Sequence, residues 1–508
     1  MSDARRYYIT TPIYYVNDKP HIGHAYTNIA SDVMARWKRL TGHEVMFLTG
    51  TDEHGQKVEK AAEAVGEAPQ PFTDRVSTTF RDLASAIGLS NTDFIRTTEE
   101  RHKRACTVLW ERLAARDQIY LGAYEGWYAV RDEAFYGPDE IVERDGQKYA
   151  IASGAPVEWM REPSYFFRLG DWGERLLAFY EANPDFIAPV SRRNEVLSFV
   201  KAGLQDLSVS RTSFRWGIPV PGDPDHVMYV WLDALTNYIT AAGYPSEDMP
   251  FWPADLHMVG KDILRFHAII WPAVLMAAEL PTPKRVFAHG WWTNEGQKIS
   301  KSLGNVIDPL ALIEEFGLDP VRYFLLREVP FGNDGDFSRR ALISRLNSEL
   351  ANDLGNLAQR SLSLIQRNCD GALPPLAPPT EEDRQLLEPL GALPDAVGEA
   401  LDRQAFHEAL ERVWAVVRLG NGWIDAQKPW ALKKTDPVRM GTVLRNLHTA
   451  LRVLATVLLP FMPGTMNALL DQLGVGEGER TLATLKALPD GTKLPPPTPL
   501  FRKVEAEG

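Results

Sequence analysis

Two histidines stand three residues apart in "PHIGH", Pro20 to His24. Strand-like "RYYITTPI" and the turn formers of "YYVNDKPHIG" precede them, and an apolar period of Ile29, Val33 and Trp37 follows. This predicts a strand handing over to a helix from about His24 to Leu40. A helix start offers backbone N–H groups and a positive dipole end to an anion. Gly23 lets a ligand approach the backbone closely, and His21 and His24 can donate to charge developing on a phosphate. A second group lies in "GQKISKSLGN", where Lys298 and Lys301 flank Ser300, with Ser302 next, between Gly296 and Gly304. Lysines on such a loop suit a polyphosphate. Singly, one motif reads as capping histidines and the other as a solvated basic loop; together they describe a phosphate clamp in two parts.

The elements that must position these groups follow from the pattern. After the first helix, "TGHEVMFLTGTDEHG" gives a turn, an apolar strand and a polar exit. Strand, helix and strand form a βαβ unit, which predicts a parallel α/β sheet with ligands beyond the carboxyl ends of its strands. Residues 1–119 are read as the first half of that domain. Residues 120–205, aromatic and alternating, are read as an inserted subdomain of short strands and hairpins. Residues 206–340 resume the sheet and carry the lysine loop. Residues 341–480 are long and helix-periodic, a bundle, and the Pro-rich 481–508 are read as an arm or tail.

Composition excludes several classes. No run of 18 apolar residues appears, and the start lacks the apolar core of a signal peptide, so the expectation is a cytoplasmic protein with no membrane partner. The cysteines, Cys106 and Cys369, are two and far apart, which excludes a disulfide framework or a Cys-pair zinc site. A net charge of −12 argues against binding DNA or RNA through the field of the whole protein, leaving a local basic surface as the route to RNA.

On these motifs the chain resembles the class I aminoacyl-tRNA synthetases. Their signatures are His-Ile-Gly-His, here His21 to His24, and Lys-Met-Ser-Lys-Ser, here Lys298-Ile299-Ser300-Lys301-Ser302 with Ile in an apolar, often varied place. The resemblance implies a Rossmann-type parallel-sheet catalytic domain with a small insert, then an all-α anticodon-binding bundle. It implies that His21, Gly23, His24, Lys298 and Lys301 act on ATP with Mg2+, with His21, His24, Lys298 and Lys301 catalytic. Four further segments are similar to the methionyl branch. "TPIYYVND" would place Ile13 and Tyr15 against the amino acid, and "GTDEHGQK" would place Asp52 on its α-amino group. "YVWLDALTNY" would supply Trp231, Ala234, Leu235 and Tyr238. "GKDILRFHAIIWP" would supply Gly260 and Asp262 to the ATP, with Asp262 near the ribose, and Phe266, His267 and Trp271 to methionine. Taken singly each aromatic reads as core; as an ordered set they read as a pocket suited to a thioether. The implied reaction makes methionyl-adenylate and pyrophosphate, then transfers methionyl to the 3′ end of tRNA(Met). The alternatives are another class I synthetase, or a non-catalytic tRNA-binding paralogue, which would be expected to lose His21, His24 or Lys301; all three are present.

Many methionyl enzymes carry a zinc knuckle after a Gly-Trp-Tyr segment. Here "EGWYAVRDEAFY" has Ala129 and Asp132 where cysteines would stand, so no structural zinc is expected, and Arg131 to Glu133 are read as replacing the metal by ion pairs. For the tRNA, the resemblance implies that Asn356, Arg360 and Trp430 read the anticodon. A run of basic residues, Arg403, Arg412, Arg418, Lys428, Lys433, Lys434, Arg439, Arg445 and Arg452, is read as facing phosphates. Trp414 and Trp423 are read as bundle core. The chain stops soon after the bundle, so a monomer is expected.

Overall fold

The computed structural model describes residues 5–505 except Asp18, Glu133, Lys301 and Ser302. The chain divides into two compact units, one of residues 6–20 and 45–289, the other of residues 1–5, 21–44 and 290–508.

The first unit is built on a six-stranded sheet. Its strands are β1 (Arg6–Tyr15), β2 (Glu44–Asp52), β3 (Asp93–Arg96), β7 (Ile187–Ala188), β9 (Leu256–Gly260) and β10 (Val286–His289), in the order β3-β2-β1-β9-β10-β7. Pairing is parallel, with Ile9 opposite Leu256 and Met258 opposite Phe287. Every residue of β9 and β10 is buried, as in a parallel sheet covered on both faces. Helix α3 (Val230–Ala242) packs here, its Tyr238 carbonyl accepting from the Tyr8 hydroxyl at 2.7 Å, and α2 (Glu100–Ala115) packs on α3. Tyr15, Asp52 and Gly260 therefore close the carboxyl ends of β1, β2 and β9, where open α/β sheets bind ligands.

Within the span read as an insertion, β4 (Ile119–Ala129), β5 (Ala134–Tyr136) and β6 (Glu158–Phe167) join β8 (Leu207–Ser208) in an antiparallel sheet ordered β8-β6-β4-β5. That span is not wholly an insertion, because residues 187–188 form the edge strand β7 of the parallel sheet. Where a knuckle would sit, Ala129, Ala150, Ala155 and Val157 form a small apolar cluster. Beside it the Asp132 carboxylate accepts from the hydroxyls of Tyr136 (2.7 Å) and Ser153, with Arg131 at 3.3 Å. The third residue expected to replace the metal, Glu133, lies outside the described residues.

The second unit holds α1 (Ile22–Leu40), which begins two residues earlier than its apolar period suggested, because His21 caps it. It also holds a small sheet of β11 (Trp292–Asn294), β12 (Gln297–Lys298) and β13 (Gly335–Phe337), and α4 (Leu318–Arg327). A π-helical stretch, Leu346–Gly355, runs into α5 (Asn356–Asn368). The bundle continues through α6 (Glu381–Asp402), α7 (Phe406–Gln427), α8 (Pro429–Thr435), α9 (Pro437–Leu458) and α10 (Pro463–Gln472). Trp414 and Trp423 are core, their indole N–H groups donating to the carbonyls of Glu349 (3.0 Å) and Glu382 (2.9 Å). A buried ion pair, Arg322 to Asp32 at 2.7 Å, ties α4 to α1, and Arg322 also donates to the carbonyls of Phe461 and Pro460.

Two expectations change here. The Pro-rich segment is not a free tail over its described part. Thr498 donates to Gln472, and Val504 exchanges two bonds with the Asn347 amide, at 2.9 and 2.7 Å. For the same reason Arg445 and Arg452 do not face RNA. Both are buried, and they satisfy carbonyls of the segments that cross α9: Pro374 and Leu488 for Arg445, Thr484 and Lys486 for Arg452. No helix among the described residues is long and apolar enough to cross a membrane.

Candidate active site

The two histidines cap α1 reciprocally. His21 Nδ1 accepts from the Gly23 N–H at 3.0 Å, and His24 Nδ1 accepts from the His21 N–H at 3.0 Å. Their ring centroids are 3.9 Å apart. The Ile22 N–H donates to the Ile307 carbonyl and the His24 N–H to the His21 carbonyl. The first-turn amides expected to hold an anion are therefore already occupied. With Nδ1 accepting, each neutral ring carries its proton on Nε2, which makes the side chains the anion donors instead. Burial and the neighbouring His21 push the His24 imidazole well below the ordinary histidine range, so it stays neutral at pH 7. Gly23 matters for a reason besides ligand approach: a Cβ there would lie 2.9 Å from His21 Cε1. The glycine makes room for the folded-back ring.

Lys298 ends β12, exposed, and Lys301 lies outside the described residues. Gly296 and Gly304 both have positive φ, 78° and 64°, a conformation that favours glycine. The loop base is pinned by Asn305, a residue given no role in the sequence reading. Its Oδ1 accepts from the Ser300 N–H at 2.8 Å, its Nδ2 donates to the Lys298 carbonyl at 3.1 Å, and its carbonyl accepts from Asn294 at 2.9 Å.

In the first unit a cavity of about 30 Å³ is lined by Pro12, Ile13, Tyr15, Asp52, Trp231, Ala234, Leu235, Tyr238, Ile263 and His267. Eight of the ten residues expected to hold methionine meet there. The other two stand behind it. Phe266 stacks on Trp231, centroids 3.7 Å apart, and buried Trp271 packs 6.1 Å from the Tyr238 ring and donates to His257 Nε2 at 3.2 Å. Pro12 and Ile263 were missed, although each adjoins a residue singled out. His267 Nδ1–H donates to the Ile263 carbonyl (2.9 Å), leaving Nε2 to accept from the Tyr238 hydroxyl (2.6 Å). Burial pulls the His267 imidazole down to about 4, so His267 adds no charge to the pocket wall at pH 7. Gly260 ends β9 beside Asp262; a Cβ on it would lie 2.6 Å from Asp262 Oδ1. A larger hollow, about 1020 Å³, lies where the C-terminal segment passes α4 and α10, but none of the motif residues lines it.

On the bundle, Arg360 and Trp430 come together and Asn356 is exposed one turn before Arg360. Arg360 also pairs with Asp425.

A parallel sheet with strand ends at Tyr15, Asp52 and Gly260, a His-Ile-Gly-His helix cap and a lysine loop define a class I aminoacyl-tRNA synthetase. Residues 7–362 match the family described as tRNA synthetases class I (M), and residues 373–508 match the anticodon binding domain of methionyl tRNA ligase. The chain belongs to the methionine–tRNA ligase family. It is 58% identical to the methionine–tRNA ligase of Rickettsia conorii (strain ATCC VR-613 / Malish 7), covering 98% of this chain and 99% of that one. Identity to the Brucella suis biovar 1 enzyme is 54%, covering 99% of both chains. The solved structure of Mycobacterium tuberculosis methionyl-tRNA synthetase in complex with methionyl-adenylate superposes with a TM-score of 0.96 at 50% identity, covering 98% of this chain and 99% of that one. The apo form of that enzyme gives 0.90 at 46% identity, covering 99% of both chains.

Proposed function

We propose that the cavity behind Tyr15 receives the methionine side chain, with Asp52 on the α-amino group and Trp231, Ala234, Leu235, Tyr238 and His267 around the thioether. The supporting observation is that residues from four separate sequence segments line one cavity. The aromatic part of the wall suits a polarizable sulfur.

ATP takes the remaining roles. The Nε2–H groups of His21 and His24, with Lys298 and Lys301, stabilise charge on the phosphates as the methionine carboxylate attacks the α-phosphorus and pyrophosphate leaves. Asp262 holds the ribose beside Gly260. Among the described residues, the side chains close enough to share an ion are buried His102, Cys106 and Asp233, none of which is assigned to ATP. Mg2+ is accordingly assigned to the nucleotide's own phosphates. Asn356, Arg360 and Trp430 read the anticodon of tRNA(Met), and the protein works as a cytoplasmic monomer without structural zinc, membrane or DNA.

The test is ATP–pyrophosphate exchange with each of the twenty amino acids. Methionine alone should drive it; exchange driven by another amino acid overturns the pocket assignment.

A further inference from the structure

One buried cluster takes no part in the reaction outlined above. The Asp233 carboxylate, on α3, bonds His54 Nδ1 through one oxygen and His102 Nε2 through the other, both at 2.7 Å. All three side chains are buried. Cys106 Sγ lies 3.3 Å from His102 Nε2. Cysteine, histidine and aspartate are metal-ligand types, but the geometry is that of hydrogen bonds. Two ligands each about 2.0 Å from a tetrahedral ion stand about 3.3 Å apart, whereas Nε2 and Oδ1 stand at 2.7 Å.

We propose that Asp233, acting through His54, is a positioning residue for methionine. The pair fixes the turn carrying Asp52 against the helix carrying Trp231, Ala234, Leu235 and Tyr238. The turn is gripped from both sides. Glu53 is held by Arg96 through bonds of 2.7 to 3.0 Å and by Thr98 at 2.9 Å. His54 is held by Asp233, and its ring meets Trp216 edge-on at 5.4 Å. Asp52 precedes these two anchors, so its distance from the α3 pocket residues is set by the bond between His54 and Asp233. Burial alone would raise the Asp233 carboxyl, but His54 and His102 outweigh it and bring it down to about 2, keeping the acceptor charged. His102 meets the same carboxylate from α2, a helix with no pocket residue, which separates positioning from mere support.

The proposal rests on the reading of this cavity as the methionine site. In ATP–pyrophosphate exchange by the full chain, His54→Ala and Asp233→Asn should raise KM for methionine roughly tenfold to a hundredfold, the worth of a hydrogen bond to a charged group. KM for ATP and kcat should move less than about threefold, and His54→Gln, which keeps a donor, should recover part of the loss. His102→Ala should lower the thermal midpoint without raising KM for methionine. An unchanged KM in His54→Ala, or an equal rise in His102→Ala, overturns the proposal. Asp52→Asn separates the two failures. If it leaves KM unmoved, the cavity reading falls; if it raises KM while His54→Ala does not, only the positioning role falls.

Discussion

The guanidinium of Arg360 lies 5.6 Å from the ring centroid of Trp430, joining two residues far apart in sequence. The contact exists because α7 ends at Lys428 in a left-handed conformation, φ 47°, and Pro429 starts α8 at once. That break sets Trp430 on the first turn of a short helix, 47% exposed, beside a hollow of about 470 Å³ shared with Arg360, Ser363 and Arg367. A cation above an aromatic face leaves the outer face open to a base.

Trp430→Ala should reduce aminoacylation of tRNA(Met) roughly tenfold to a hundredfold in kcat/KM, the scale of a lost base–aromatic stack. Methionine-dependent ATP–pyrophosphate exchange should be unchanged. Loss of both activities together would argue against a role confined to the anticodon.

Gly23→Ala should remove most exchange activity at little cost in stability. The added Cβ would meet the His21 ring at 2.9 Å and displace both the cap and the Nε2 donor. Exchange kcat falling by about a hundredfold, with a thermal midpoint within a few degrees of the parent, is the expected pair of results; the displacement of one such donor justifies that scale. Normal exchange would show that the ring position does not matter.

Asp32→Ala should destabilise the protein by about 3–5 kcal/mol, the cost of leaving a buried cation without its partner. Asp32 and Arg322 are both fully buried, and Arg322 also donates to the carbonyls of Phe461 and Pro460. Denaturant unfolding measures it. A loss below about 1 kcal/mol would mean the pair is not what joins α1 to α4.

A chelator should leave the thermal midpoint where it is, while Asp132→Ala should lower it, through a loss of about 1–3 kcal/mol as two half-buried hydroxyls are left without their acceptor. Tyr136 and Ser153 both donate to that carboxylate. Stoichiometric zinc in a metal analysis of the purified protein would contradict this.

Stability should fall as the pH drops from about 6.5 toward 4. His267 and His448 are both buried and both pulled down to about 4, burial being the chief cause. Unfolded histidine titrates near 6.5. Between these values the unfolded chain binds more protons, so each group's contribution is complete above about 6.5 and is lost as the pH falls. The slope is about 1.4 kcal/mol per pH unit per group. His448→Gln, which can keep the bond to the Leu473 carbonyl, should flatten the profile of thermal midpoint against pH by one group's share; an unaltered slope refutes the assignment.

Much of this protein is written locally. The strand–turn–helix at "PHIGH", the βαβ unit, the long helix periods and the lysine loop rest on residues near one another in the chain, where propensity, turn chemistry and hydrophobic period act directly. Spacing alone pointed to a phosphate clamp; the resemblance of the two motifs to the class I signatures implied an adenylate-forming ligase, and that of four short segments to the methionyl branch implied methionine. The burial of Trp414 and Trp423 was also legible, from their places in the helix pattern.

What the tertiary structure decided is which groups remain available. The helix-start amides looked open to an anion, yet the rings of His21 and His24 and the Ile307 carbonyl occupy them. Arg445 and Arg452 looked like phosphate ligands, yet they satisfy carbonyls of distant segments. Phe266 and Trp271 looked like pocket wall and stand behind it, and His54 and Asp233 carried no signal until the fold put them in contact. Each case turns on a partner far away in the sequence. Residue type sets what a side chain can bond; only folding determines which partner reaches it first, and so which capacity is left for a substrate.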